Sequence, residues 1–149
     1  MKSSVTLVLL VVGLTVMVCG AAFAITRDCD GGLCKGTDRG DTLYGSEGVD
    51  KLLGEQGNDR LYGRGDDDMI KGGSGSDEIY GELGNDRVKG SQGPDYVSGG
   101  DGDDLVRAGL HDRVNDGVRD VLDCGPGTDT VYFVSGQDKV LDNCEIRNP

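Results

Sequence analysis

Residues 72–80 read GGSGSDEIY. Five of the nine are Gly or Ser, two are acids, and Ile79 is the one aliphatic residue. Alone, such a peptide would be floppy, yet the chain repeats the pattern. From Gly36 it divides without insertion into eight nine-residue units: GTDRGDTLY, GSEGVDKLL, GEQGNDRLY, GRGDDDMIK, GGSGSDEIY, GELGNDRVK, GSQGPDYVS and GGDGDDLVR. The first position is always Gly. The sixth is always Asp: Asp41, Asp50, Asp59, Asp68, Asp77, Asp86, Asp95 and Asp104. The eighth is always aliphatic: Leu43, Leu52, Leu61, Ile70, Ile79, Val88, Val97 and Val106. The fourth is Gly except at Arg39 and Asp66.

The period decides the architecture. Six residues rich in Gly and Asp make a turn, because Gly tolerates positive φ and leaves the backbone bare. The three that follow make a minimal strand, with side chains alternating between its faces. Turn and strand in alternation give an all-β solenoid with two nine-residue repeats per coil and strands on opposite sides. The eighth-position aliphatics face inward from both sides. That core is thin, so each unit depends on its neighbours.

The units resemble the repeats-in-toxin (RTX) family, whose motif G-G-x-G-x-D-x-U-x is a calcium-binding β-helix repeat. GGSGSDEIY and GGDGDDLVR match every fixed position. The resemblance implies a parallel β-roll, a right-handed β-solenoid with two nine-residue repeats per coil, with Ca2+ between consecutive turns on each side of the roll. One column would run Asp41, Asp59, Asp77, Asp95, and the other Asp50, Asp68, Asp86, Asp104. Each column of four has three gaps, so about six ions are expected. Elementary chemistry agrees. Stacked carboxylates repel, a hard divalent cation removes the repulsion, and Gly-rich turns offer the carbonyls that complete an all-oxygen shell. Arg39 brings a positive charge to the first unit, and Asp66, Asp67 and Asp68 crowd the fourth with acid.

Outside the repeats the chain changes character. Lys2 precedes an apolar run, Val5 to Val18, shorter than the roughly 20 residues of a membrane span. Ala22-Phe23-Ala24 has the form of a cleavage site. Residues 1–24 therefore read as a signal peptide, giving a secreted, extracellular chain with no stable membrane insertion after cleavage. Cleavage removes one base and no acid, which leaves 27 acids against 14 bases, or −13. It also removes Cys19 and leaves Cys29, Cys34, Cys124 and Cys144. Four cysteines allow three pairings. Sequence proximity favours Cys29–Cys34, tightening an entry segment over 25–35, and Cys124–Cys144, pinning the far end.

After the repeats proper, at 36–107, the D-x-U pattern continues as Asp112-x-Val114, Asp120-x-Leu122, Asp129-x-Val131 and Asp138-x-Val140. Its spacings are eight, eight, nine and nine residues. Residues 108–149 read as degenerate repeats ending in a cap, which a solenoid needs to cover its open edge.

Catalysis finds little support. His111 is the only histidine, and no G-x-S-x-G elbow accompanies it. The carboxylates are committed to the metal array. The acidic charge repels nucleic acid. The reading is a non-enzymatic, secreted calcium-binding protein with a structural or interaction role and an unidentified macromolecular partner. A calcium-dependent adhesin or polymer-binding accessory protein is the alternative, using the outward seventh and ninth positions. An unrecognised hydrolase is the third. Tyr44, Tyr62 and Tyr80 stand two units apart and should form a ladder on one sheet.

Overall fold

The computed structural model describes residues 24–109, 118–135, 137–141, 143–144 and 146–148. The segment 1–23 and His111 lie outside the described residues. Among the described residues all regular structure is strand, in chain order β1 (Thr26–Asp28), β2 (Gly32–Lys35), β3 (Thr42–Tyr44), β4 (Asp50–Gln56), β5 (Arg60–Arg64), β6 (Met69–Ser74) and β7 (Glu78–Leu83). Then come β8 (Arg87–Gln92), β9 (Tyr96–Asp101), β10 (Leu105–Gly109), β11 (Val121–Asp123), β12 (Thr130–Tyr132), β13 (Lys139–Val140) and β14 (Ile146–Asn148). The odd-numbered strands form one seven-stranded parallel sheet and the even-numbered strands another. Each turn crosses from one sheet to the other, so the chain is a β-solenoid, as the nine-residue period predicts. Among the described residues no helix is long and apolar enough to cross a membrane.

Pairing within a sheet advances by 18 residues per coil: Leu43, Leu61, Ile79 and Val97 stand in register, as do Leu52, Ile70, Val88 and Val106. These eight side chains are buried and form the centre of the core. The first-position glycines share the interior with them. A Cβ on Gly54 would overlap both the Asp59 carboxylate and the carbonyl oxygen of Gly72. Only hydrogen fits there, which explains the invariance of the first position.

Among the described strands the register changes in three places: β1 to β3 and β12 to β14 advance by 16 residues, and the largest change lies between β10 and β11. Val121 of β11 pairs with Tyr96 of β9, and Thr130 of β12 pairs with Leu105 of β10, each 25 residues on instead of 18. Seven extra residues therefore separate β10 from β11. Asp112 and Val114 lie within the span 110–117, outside the described residues, and the slot beside β9 is filled by β11. From Asp120 the period returns: Leu122 and Val131 are fully buried and continue the two core columns.

The disulfides Cys29–Cys34 and Cys124–Cys144 close both ends. Cys29 follows β1 and Cys34 lies in β2, while Cys124 follows β11 and Cys144 precedes β14. Each bond thus ties the odd sheet to the even one, and all four cysteines are buried at the limits of the apolar core.

Candidate metal centre

The sixth-position aspartates stack as the period predicts. Every one from Asp41 to Asp104 is buried, with at most 3% of its surface exposed. Along the first column the backbone N–H of Asp41 donates to Oδ1 of Asp59, that of Asp59 to Asp77, and that of Asp77 to Asp95, at 2.7–2.9 Å. Along the second, Asp50 donates to Asp68, Asp68 to Asp86 and Asp86 to Asp104 at 2.7–2.8 Å. One carboxylate oxygen per residue therefore holds the preceding coil by a charge-assisted hydrogen bond. The column is a structural ladder as well as a row of charges.

Both columns run further than the eight repeats. The N–H of Asp95 donates to Oδ1 of Asp120, that of Asp104 to Asp129, and that of Asp120 to Asp138. Asp104, the expected end of its column, is an interior member. The nine-residue spacing of Asp120, Asp129 and Asp138 was the signal for this extension. The slipped spacing on either side of Asp112 obscured it.

The second oxygen, Oδ2, is placed differently along the columns: in Asp41 and Asp50 it accepts from Thr37 and Ser46. In Asp59, Asp68, Asp77, Asp86 and Asp104 it is buried without a hydrogen-bond partner. Burial raises the carboxyl pKa to about 6 in Asp59, Asp77 and Asp86, and to about 7 in Asp68 and Asp104. The hydrogen bond to Oδ1 opposes the shift in each case. Column neighbours add to it: Asp77 and Asp41 act on Asp59, Asp86 and Asp50 on Asp68, and Asp86 and Asp129 on Asp104. A buried anionic oxygen with no partner calls for a proton or a cation.

The turns supply the rest of an oxygen donor set. Fourth-position glycines lie at positive φ, among them Gly57, Gly75, Gly84, Gly93 and Gly102. A Cβ on Gly75 would overlap the carbonyl oxygen of Gly57, and one on Gly84 that of Asp66. Turn carbonyls thus point along the solenoid axis at bare glycine backbone. Among the described residues no three His, Cys, Asp or Glu side chains converge on one point. A metal here would be held by few carboxylates and by backbone carbonyls, which suits the hard, flexible oxygen coordination of Ca2+ and excludes a thiolate or imidazole site.

Second positions depart from the motif but keep its conformation. Glu55, Arg64, Glu82 and Ser91 adopt positive φ where the motif has Gly, and Asp66 does so at a fourth position. The turn geometry is imposed by the stack, against the preference of these side chains.

Two aspartate columns, axial carbonyls and an 18-residue coil define a calcium-binding β-roll. The RTX calcium-binding nonapeptide repeat, in four copies, matches residues 35–70, 63–96 and 80–110. The chain belongs to that family. No curated protein matches the chain.

Proposed function

We propose that the chain is a secreted calcium-binding β-roll with a structural or interaction role, and that its turns order as Ca2+ binds. The ligands are the sixth-position aspartates Asp41, Asp50, Asp59, Asp68, Asp77, Asp86, Asp95 and Asp104 with the turn carbonyls, and about six ions are held between turns. The row of buried Oδ2 atoms carries this reading. Six divalent ions would add roughly +12, which nearly cancels the −13 of the chain without residues 1–24. Export rests on the reading of residues 1–24 as a signal peptide. No catalytic role is assigned to any residue.

Circular dichroism and calorimetry during a calcium titration of residues 25–149 test the proposal. The expected result is a gain of β-signal at a calcium midpoint, with saturation near six ions. Equal β-signal in chelator and in millimolar calcium would refute coupled folding.

A further inference from the structure

The two sheets present different outer faces. On the even sheet the outward positions form two columns. One holds Lys35, Leu53, Lys71, Lys89, Arg107 and Tyr132, and the other holds Leu33, Lys51, Met69, Arg87, Leu105 and Thr130. Six of these twelve residues are basic and none is acidic. The odd sheet answers with Arg60 bound to Glu78 at 3.0 Å and with the stacked Tyr44, Tyr62 and Tyr80. In a chain of formal charge −12, this concentration of cations on one face is a built feature. Lys35, Lys51, Lys71 and Arg87 are exposed. Lys35 to Arg107 spans four rungs, roughly 19 Å along the solenoid axis.

Beside Lys71 the face dips into a groove of about 270 Å³. It opens because Gly73, with no side chain, stands between Glu55 and Ser91 in the ladder. Gln56, Ser74 and Gln92 line its flank, and Ser91 sits within it. Ser91 is 1% exposed, its hydroxyl has no hydrogen-bond partner, and its φ is +103°. Its hydroxyl is thus closed off from solvent, and the groups that the groove offers to a ligand are the exposed amides of Gln56 and Gln92 and the partly exposed hydroxyl of Ser74. The one acid there, Glu55, is engaged by Lys35 at 2.7 Å.

The surroundings select the ligand. The turns on the opposite flank are acidic, with Glu47, Asp66, Asp67, Glu82, Asp101 and Asp103 exposed. A broad anionic membrane would meet that flank, whereas a thin chain lying along the axis avoids it. Among the described residues the basic columns carry one ring, Tyr132 beneath Arg107, and no stack of rings for nucleobases. The amides and hydroxyls beside the cations suit sugar hydroxyls.

We propose that this face binds a linear acidic polysaccharide along the solenoid axis, with its anionic groups on Lys51, Lys71 and Arg87 and its hydroxyls in the Gln56–Ser74–Gln92 groove. Because the columns exist only in the stacked coil, the binding rests on the calcium-driven assembly proposed above. Filled calcium sites also lower the net negative charge that would repel a polyanion.

The test uses the full secreted chain in saturating calcium, with dextran sulfate, carboxymethyl-dextran, neutral dextran and phosphatidylglycerol vesicles as probes. Binding of the two anionic dextrans, weakened by salt, with none of neutral dextran, is expected. Lys51→Glu/Lys71→Glu/Arg87→Glu should lose at least about tenfold in affinity while keeping its calcium stoichiometry and β-signal. A variant with the same charge change on and beside the odd sheet, Arg60→Glu/Arg119→Glu/Lys139→Glu, should bind much as the parent does. Gln56→Ala/Gln92→Ala, which removes two exposed amides of the groove, should weaken binding several-fold. Equal losses in the two triple variants would overturn the proposal, as would vesicle binding without dextran binding, or no binding by the calcium-loaded folded chain. A chain that stays folded in chelator would refute calcium-coupled folding while leaving the dextran assay a valid test of the face.

Discussion

The backbone N–H of Asp59 donates to Oδ1 of Asp77 across one coil, at 2.9 Å, and Oδ2 of the same Asp77 is buried without a partner. One carboxylate thus has two separable duties, holding the preceding turn and presenting charge. Asp77→Asn keeps an acceptor for the Asp59 N–H and removes the charge. Asp77→Ala removes both and leaves a buried N–H unpaired, at a cost of about 1–3 kcal/mol. Both variants should bind fewer ions by calorimetry, and Ala should shift the calcium midpoint for folding further than Asn. Asp77→Ala with the stoichiometry and midpoint of the parent would remove the sixth-position aspartates from the ligand set. Asp104 has neighbours on both sides through Asp86 and Asp129, so Asp104→Ala should do comparable damage.

The same burial sets a pH dependence for the calcium-free chain. The carboxyls of Asp59, Asp77 and Asp86 rise to about 6, and those of Asp68 and Asp104 to about 7. An unfolded Asp titrates near 3.9. A folded value above the unfolded one means that these groups favour the fold below about pH 4, and that this support is lost as pH rises through 6 to 7. In chelator, β-signal should therefore be greater at pH 4.5 than at pH 8, where calcium becomes necessary. A pH-independent spectrum in chelator would show that the carboxylates do not oppose the calcium-free fold.

The fold was readable because three positions per unit are each fixed by one physical demand. The first needs hydrogen, the sixth an acceptor inside the turn, and the eighth an apolar side chain in the core. Tyr44, Tyr62 and Tyr80 stack at 5.0 and 5.1 Å, as their two-unit spacing predicts. The register change was not readable, since Asp112-x-Val114 imitates a unit and composition cannot say which copy of the pattern pairs. The ladder role of Oδ1 was hidden too, because a sequence names a carboxylate but not the amide it meets. Glu55, Arg64, Glu82 and Ser91 look like tolerated departures from the motif, and only the backbone reveals their positive φ.

Two fourth-position glycines should respond oppositely to alanine. Gly75 lies at φ +134°, and a Cβ there would strike the carbonyl oxygen of Gly57. Gly48 meets nothing nearer than the Ser46 hydroxyl at 3.9 Å and is not in the positive-φ region. Gly75→Ala should cost at least about 2 kcal/mol and raise the calcium midpoint, while Gly48→Ala should change stability little. Denaturant unfolding in saturating calcium measures both. Similar losses at the two sites would show that the stacking distance between turns does not select glycine.

The two disulfides should differ in effect. Cys29–Cys34 closes a five-residue separation beside the first coil, and Cys124–Cys144 spans 20 residues after the register change. Loop-closure entropy assigns the longer bridge about 3 kcal/mol, and the shorter one less. The longer bridge also ties the segment after β11 to the segment before β14, where the core thins from Leu122 and Val131 to the half-buried Phe133 and Val140. Cys124→Ala/Cys144→Ala should therefore lower the melting temperature in saturating calcium more than Cys29→Ala/Cys34→Ala. Hydrogen exchange should locate the lost protection in β11 to β13, with the central strands β5 to β8 unchanged. Uniform loss of protection along the chain would mean that the terminal coils do not fray independently. The fold would then behave as a single cooperative unit instead of a stack governed by its neighbours.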